Sequence, residues 1–228
     1  MTAAVPPPPA PSPAAPLPLE TAERIRLFWH PLSGHCHRVQ LMLSLLGRPS
    51  ELVEVDVLAG ENRAPSFLAR NPLGQVPVIE DGGLTLADSN AILVYLALTY
   101  DPARRWLPAD AASAAAVQAW LSLAAGPLVQ GPSTARLVRL LDWPGDYERA
   151  VATAEHLLAH LDRHLEDRTF LVGGGATVAD VALYAYVALA PEGGVPLDPY
   201  PAVCAWLARI EDLPRFVPMR RTPAAVAA

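Results

Sequence analysis

Between Arg24 and Tyr100 the apolar pattern changes period every few residues, and after Asp101-Pro102 it stops doing so. The first part must therefore build a sheet, and the second can only build helices. Ile25 to Trp29 is a short apolar run of strand type, while Val39, Leu41, Met42, Leu43, Leu45 and Leu46 follow a helical spacing that Gly47 closes. Glu51 to Asp56 alternates with period two, as a half-buried strand does. A short helix is expected from Pro65 to Arg70. It is followed by Val76-Pro77-Val78-Ile79, a hairpin turn at Asp81-Gly82-Gly83 and a strand at Leu84 to Leu86. Asp88-Ser89 can cap a helix from Asn90 to Thr99. The order β-α-β-α-β-β-α predicts a compact α/β unit whose hairpin makes the sheet mixed.

Beyond the linker 101–110, with Pro102 and Pro108, helices are expected at Ala111 to Leu140, Gly145 to Glu166, Val178 to Ala190 and Pro201 to Glu211. The first of these carries no charge from Ala111 to Ala135, long enough for a membrane span. It is rich in Ala rather than Leu and is broken by Gly126-Pro127 and Gly131-Pro132, so it reads as a buried, kinked helix. The expected division is a tail at 1–22, an α/β domain at 23–100, the linker, and an all-helical domain at 111–228. Residues 1–19 hold eight of the 25 prolines and no side-chain charge, which predicts an extended, polyproline-like tail. The tail has neither the basic start and apolar centre of a secretory signal nor the arginines of a transit peptide.

A net charge of −6 argues against nucleic acid as a partner. All 17 basic residues are Arg, which together with the abundance of Ala and Pro reads as a compositional bias. The two cysteines, Cys36 and Cys204, cannot form a disulfide framework, which fits a reducing compartment.

Three segments could carry chemistry. Ser33-Gly34-His35-Cys36-His37-Arg38 lies between the first strand and the first helix, where unpaired amides favour negative charge. Ser33 and Cys36 have the spacing of a Cys-x-x-Cys pair, but Ser at the leading position precludes an internal disulfide. Ser33 either caps the helix or donates a hydrogen bond to a thiolate brought by a ligand; spacing does not separate the two. Cys36, one turn deeper, reads as a small core residue. In Asn71-Pro72-Leu73-Gly74-Gln75-Val76-Pro77-Val78, the proline leaves Val76 with unpaired backbone groups that an extended peptide could use, or simply marks an edge or turn. Asp88-Ser89 is either an ordinary helix cap or a site for a carboxylate and an amine.

Taken together, N-P-L-G-Q-V-P-V-I followed by A-D-S-N-A-I, then Phe170 to Tyr184 (F-L-V-G-G-G-A-T-V-A-D-V-A-L-Y) and Tyr200 to Glu211, resemble the cytosolic glutathione transferase superfamily. The likeness, closest to its bacterial serine-type and theta-like members, spans Arg24 to Pro218. It implies a thioredoxin-like N-terminal domain that holds glutathione, an all-α C-terminal domain, a cytoplasmic homodimer and no metal. By the same resemblance, the Val76 backbone before a cis Pro77 pairs with the cysteinyl part of glutathione, and Asp88 and Ser89 hold the γ-glutamyl ammonium and carboxylate. Gln75 and Arg63 lie towards the glycyl end, and Ser33 stabilises the thiolate.

The sequence has His35 where relatives often carry Asn, so an imidazolium could share the catalytic duty with Ser33. The implied activity is conjugation of glutathione to small hydrophobic electrophiles, with hydroperoxide reduction a related use. Two alternatives are thiol transfer through Cys36 and a non-catalytic binding protein of the same fold. Trp120, Leu121, Leu128 and Arg136 are expected near the electrophile, by analogy. Asp180, three residues after Thr177, reads as a structural capping box. His156, His160 and His164 recur every four residues, a spacing that can bind metal, but their charged surroundings favour a solvated face.

Overall fold

The computed structural model describes Arg24 to Thr222, so the expected tail at 1–22 lies outside the described residues. Four strands, β1 (Ile25–Trp29), β2 (Ser50–Glu54), β3 (Val78–Asp81) and β4 (Leu84–Ala87), form one sheet of order β2-β1-β3-β4. β1 pairs parallel to β2 and antiparallel to β3, and the β3–β4 hairpin closes the mixed sheet. A parallel pair cannot be joined by a tight turn, and α1 (Gly34–Leu45) makes the crossover. α2 (Pro65–Leu68) and α3 (Ser89–Tyr100) complete this half.

The two faces of the sheet are unequal. On one side Ile25, Leu27 and Ile79 join α1 and α3 in a core that runs on into the helical half. On the other, Phe28, Val55, Phe67 and Val78 form a small separate cluster. The Phe28 ring there has the guanidinium groups of Arg26 and Arg70 at 5.0 and 4.6 Å, and both arginines pair with Glu80.

The helical half comprises α4 (Ala111–Ala125), α5 (Thr134–Leu141), α6 (Tyr147–Leu165), α7 (Val178–Ala188) and α8 (Pro201–Glu211). The stretch expected as a buried, kinked helix from Ala111 departs from that reading in one respect. Gly126 breaks it, and Pro132 sits inside a π-type turn at Val129–Ser133, so the kinks are present. Only one face is buried, however, by Val117, Trp120, Leu121 and Ala124; Ala111, Ala112, Ala115, Ala116 and Ala119 are exposed. Alanine is small enough to leave a helix face uncovered at little cost, which explains why charge-free composition overstated its burial.

α7 is the buried centre of this half, with every residue from Val178 to Val187 inside. Its first turn is held by Asp180, fully buried, which accepts from Thr177 N–H at 2.8 Å, Leu171 N–H at 3.0 Å and the Trp206 indole at 2.9 Å. The Thr177 hydroxyl closes the capping box from the other side. Asp180 therefore joins α7, α8 and the preceding loop. Replacing it with Ala strands three buried donors, and Asp180→Ala should lose about 3–5 kcal/mol in urea unfolding. A loss under about 1 kcal/mol would show that the network is dispensable.

Candidate functional site

Ser33 is the N-cap of α1. Its backbone is extended, and its Oγ accepts from the Cys36 N–H at 3.3 Å. That bond leaves the hydroxyl hydrogen free to donate outward, beside the remaining amides of the first turn. The loop before it is folded on itself: Ser33 N–H donates to the His30 carbonyl, and Leu32 N–H donates to His30 Nδ1. Gly34 follows because Tyr186 of α7 covers it, and a Cβ there would lie 2.7 Å from the ring.

Cys36 is fully buried and its Sγ accepts from His30 N–H at 3.4 Å. Burial pushes its thiol up to about 12, against smaller opposing effects of Ser33, His30 and Arg38. A thiol in that state is neither exposed nor acidic, as thiol transfer through Cys36 would require.

His35 requires a correction. Its ring stands against Tyr186 at 5.2 Å, with Nδ1 at 3.2 Å from Ser89 Oγ. Burial, helped by the nearby Arg38 charge, holds the imidazole down to about 3. It is neutral at physiological pH, so the expected imidazolium beside a thiolate is not what the ring supplies. What it does supply is a tie between the first turns of α1 and α3.

Arg38 was missed from the sequence. Its side chain is fully buried, and Nη1 donates to Ser89 Oγ at 3.2 Å and to Asn90 Oδ1 at 2.7 Å. Its Nε and Nη2 have no partner among the described residues. Burial lowers the guanidinium to about 10, opposed by Tyr186 and Asp88, so it stays charged at neutral pH. The available signal was an arginine whose helical neighbours at i+3 and i+4, Leu41 and Met42, are both core residues.

At α3 the N-cap is Asp88, whose carboxylate accepts from Ala91 N–H at 2.8 Å. Its φ of 72° is a region that L residues rarely occupy, so the turn is strained as it enters the helix. Ser89 is buried directly above Arg38. Two helix N-termini thus converge, with a buried positive charge beneath one of them.

The Val76–Pro77 peptide bond is cis, and both residues precede the first ladder position of β3 at Val78. Asn71 holds the segment by donating to the Gln75 carbonyl at 2.8 Å, and the buried Asn62 donates to the Gly74 carbonyl at 2.7 Å. Gly74 has a φ of 62° with Arg63 lying over it, while Arg63 and Gln75 themselves are exposed.

Of the residues expected near an electrophile, Trp120, Leu121 and Leu128 are buried in the apolar core, while Arg136 is buried but reaches the β1–α1 loop at the Leu32 carbonyl. Trp120 lies between His160 and His164 at 5.6 and 4.8 Å, and His164 is engaged by the Leu171 carbonyl. Among the described residues no three potential ligands cluster as a metal site would require. A cavity of about 270 Å³ opens instead beside the β1–α1 loop, lined by Trp29, Pro31, His37, Gln40, Glu54 and the segment after α8.

Because His35, half-buried against Tyr186, is held neutral in the folded state and titrates normally when unfolded, the unfolded state binds more protons between about pH 6.5 and pH 3. Stability should therefore fall as pH drops through that window. His37, lowered to about 4 mainly by burial, adds to the same loss. In urea titrations His35→Asn should flatten this dependence; an unchanged slope would mean that the ring is protonated in the native state.

Residues 23–98 match the model of the glutathione S-transferase N-terminal domain, and residues 145–214 match that of its C-terminal domain. Glutathione S-transferase 3 of Zea mays is 34% identical over 216 residues, covering 89% of this chain and 94% of its own. The crystal structure of a glutathione S-transferase from Pseudomonas fluorescens superimposes with a TM-score of 0.81 at 34% identity, covering 86% of this chain and 99% of that one. A glutathione transferase homologue from Drosophila mojavensis, solved with bound glutathione, has a TM-score of 0.74 at 26% identity, covering 84% of this chain and 89% of that one. The mixed four-stranded sheet followed by a helical second half accords with these matches, and the chain belongs to the glutathione S-transferase family.

Proposed function

We propose that this protein binds reduced glutathione, lowers the pKa of its thiol and transfers the sulfur to small hydrophobic electrophiles. The observation that carries the reading is the convergence of the α1 and α3 N-termini through His35, Ser89 and Arg38. Such an arrangement suits a ligand with two anionic groups a few bonds apart, and glutathione presents a carboxylate and a thiolate. The bound glutathione in the Drosophila mojavensis relative supports the same ligand.

In this reading Ser89 and the α3 amides take the γ-glutamyl carboxylate, with Arg38 beneath them offsetting its charge. Asp88 takes the ammonium. The backbone of Val76, ahead of Pro77 and clear of the β3 ladder, pairs with the cysteinyl unit. Gln75 and Arg63 lie towards the glycyl end. The Ser33 hydroxyl, its acceptor side occupied by Cys36 N–H, donates to the sulfur. Taking a free thiol of pKa ~8.5 down by two units needs about 2.7 kcal/mol, within reach of one charge-assisted hydrogen bond and a helix N-terminus. The thiolate then attacks the electrophilic carbon, forming a C–S bond, and the displaced pair leaves with the leaving group or is protonated from solvent. Hydroperoxide reduction begins from the same thiolate.

The exposed alanine face of α4 and Leu98 on α3, 48% exposed, support a homodimer through these helices. Cytoplasmic residence fits the two free cysteines.

Calorimetric titration with glutathione and with S-hexylglutathione tests the binding step, and conjugation kinetics test the chemistry. Ser33→Ala should lower kcat about a hundredfold while leaving S-hexylglutathione affinity intact. Cys36→Ala should leave kcat unchanged. No heat with either ligand would favour the non-catalytic alternative, and loss of activity only in Cys36→Ala would favour thiol transfer.

A further inference from the structure

Arg136 of α5 is 2% exposed, and no part of the chemistry above uses it. Its Nε donates to Glu192 Oε2 at 2.7 Å in the turn after α7, and its Nη2 donates to Thr222 Oγ1 at 3.3 Å. Glu192 Oε1 also accepts from Thr222 N–H at 2.9 Å. The remaining arm, Nη1, reaches across to the N-terminal half and donates to the Leu32 carbonyl at 2.8 Å. Leu32 immediately precedes Ser33.

The other hydrogen bonds of residues 30–33 are made within the loop and the first turn of α1. Among the described residues, the Arg136–Leu32 bond is the one that the loop receives from the helical half. The Glu192 carboxylate compensates the guanidinium charge, so what reaches the loop is direction rather than field. A planar fork fixes the angle between its arms, and Arg136 therefore sets the plane of the Leu32–Ser33 peptide relative to α5 and the turn after α7.

We propose that Arg136 is a positioning residue for thiol activation, holding the Leu32–Ser33 peptide so that the Ser33 hydroxyl points at the glutathione sulfur. This rests on the reading that Ser33 donates to that sulfur. Hydrogen bonding to a thiolate is steep in angle, so a loop anchored only to itself would spread the hydroxyl over directions that donate poorly.

Arg136→Lys tests the assignment, because an ammonium keeps the charge and the Glu192 pair but cannot span to Leu32 as well. The readouts are ultraviolet absorbance of bound glutathione thiolate titrated against pH, affinity for S-hexylglutathione, and the split between kcat and KM. The thiol pKa of bound glutathione should rise by about one unit, which at about pH 6.5 lowers the thiolate fraction about fivefold, and kcat should fall with it. Affinity for S-hexylglutathione, which has no thiol, and KM for glutathione should stay as in the unchanged protein. A folded Arg136→Lys protein with an unaltered thiolate titration would falsify the assignment. Should the lysine variant fail to fold, the double variant Arg136→Met with Glu192→Met removes both charges at similar volume and is judged by the same titration. If the unchanged protein binds S-hexylglutathione yet shows no thiolate with glutathione, the Ser33 reading itself fails and takes this proposal with it. A drop in thiolate in the Arg136 variants and in Ser33→Ala alike, with S-hexylglutathione affinity kept, supports both.

Discussion

Helix α1 is enclosed by the sheet, by α3, by α7 and by the segment after α8, so each polar group on it must find a partner inside the protein. Gly34, Cys36, His37, Arg38, Val39, Leu41, Met42 and Leu43 are all buried. Buried polar side chains on an enclosed helix cannot be solvated one at a time, and here they find partners by crossing into neighbouring elements, although Arg38 Nε and Nη2 and His37 Nδ1 have none among the described residues. Arg38 reaches α3, His37 reaches the Val217 carbonyl at 2.9 Å, and Ser44 reaches the Arg215 carbonyl at 2.7 Å. The candidate site sits at one end of this helix and inherits its rigidity.

The electrostatics follow from the same enclosure. Low polarizability around α1 pushes His35, His37 and Cys36 into their neutral forms and leaves Arg38 as the charged group of that turn. A site built for an anion gains from that arrangement, since no competing negative charge sits at the α1 terminus. It also explains why a cysteine in the first turn of α1, seven residues after the end of β1 and in a setting known for reactive thiols, behaves here as packing material.

Much of this was legible in the chain. The switch from changing to constant periodicity gave the division into halves, and the DGG turn, the Asp88 cap and the Thr177–Asp180 box located several element ends. Ser33, Asp88 and Ser89 could be named because helix caps have a local signature. What escaped was everything decided by partners far away in sequence. The orientation of His35 depends on Ser89, 54 residues on, and its charge depends on burial that no local pattern reports. Arg38 looks like a surface arginine until the tertiary contacts that enclose it are known, and Arg136, expected near an electrophile, carried no sign of its reach to Leu32. The 3-10 turn at Glu61–Arg63 likewise had no periodic signal, since three residues are too few to show one.

The segment from Arg215 to Thr222 crosses back over α1 and meets Glu192 and Arg136, which gives the order of synthesis a consequence. The partner of His37 lies 180 residues further along the chain. At ribosomal speeds that is a delay of roughly ten to forty seconds, during which the sheet and its helices can assemble while one flank of α1 has no cover. A newborn N-terminal half therefore presents an apolar, histidine-bearing face to solvent or to chaperones until the last helix is out. Final closure over the Ser33 loop is a late event, made by residues that come off the ribosome long after the loop they support.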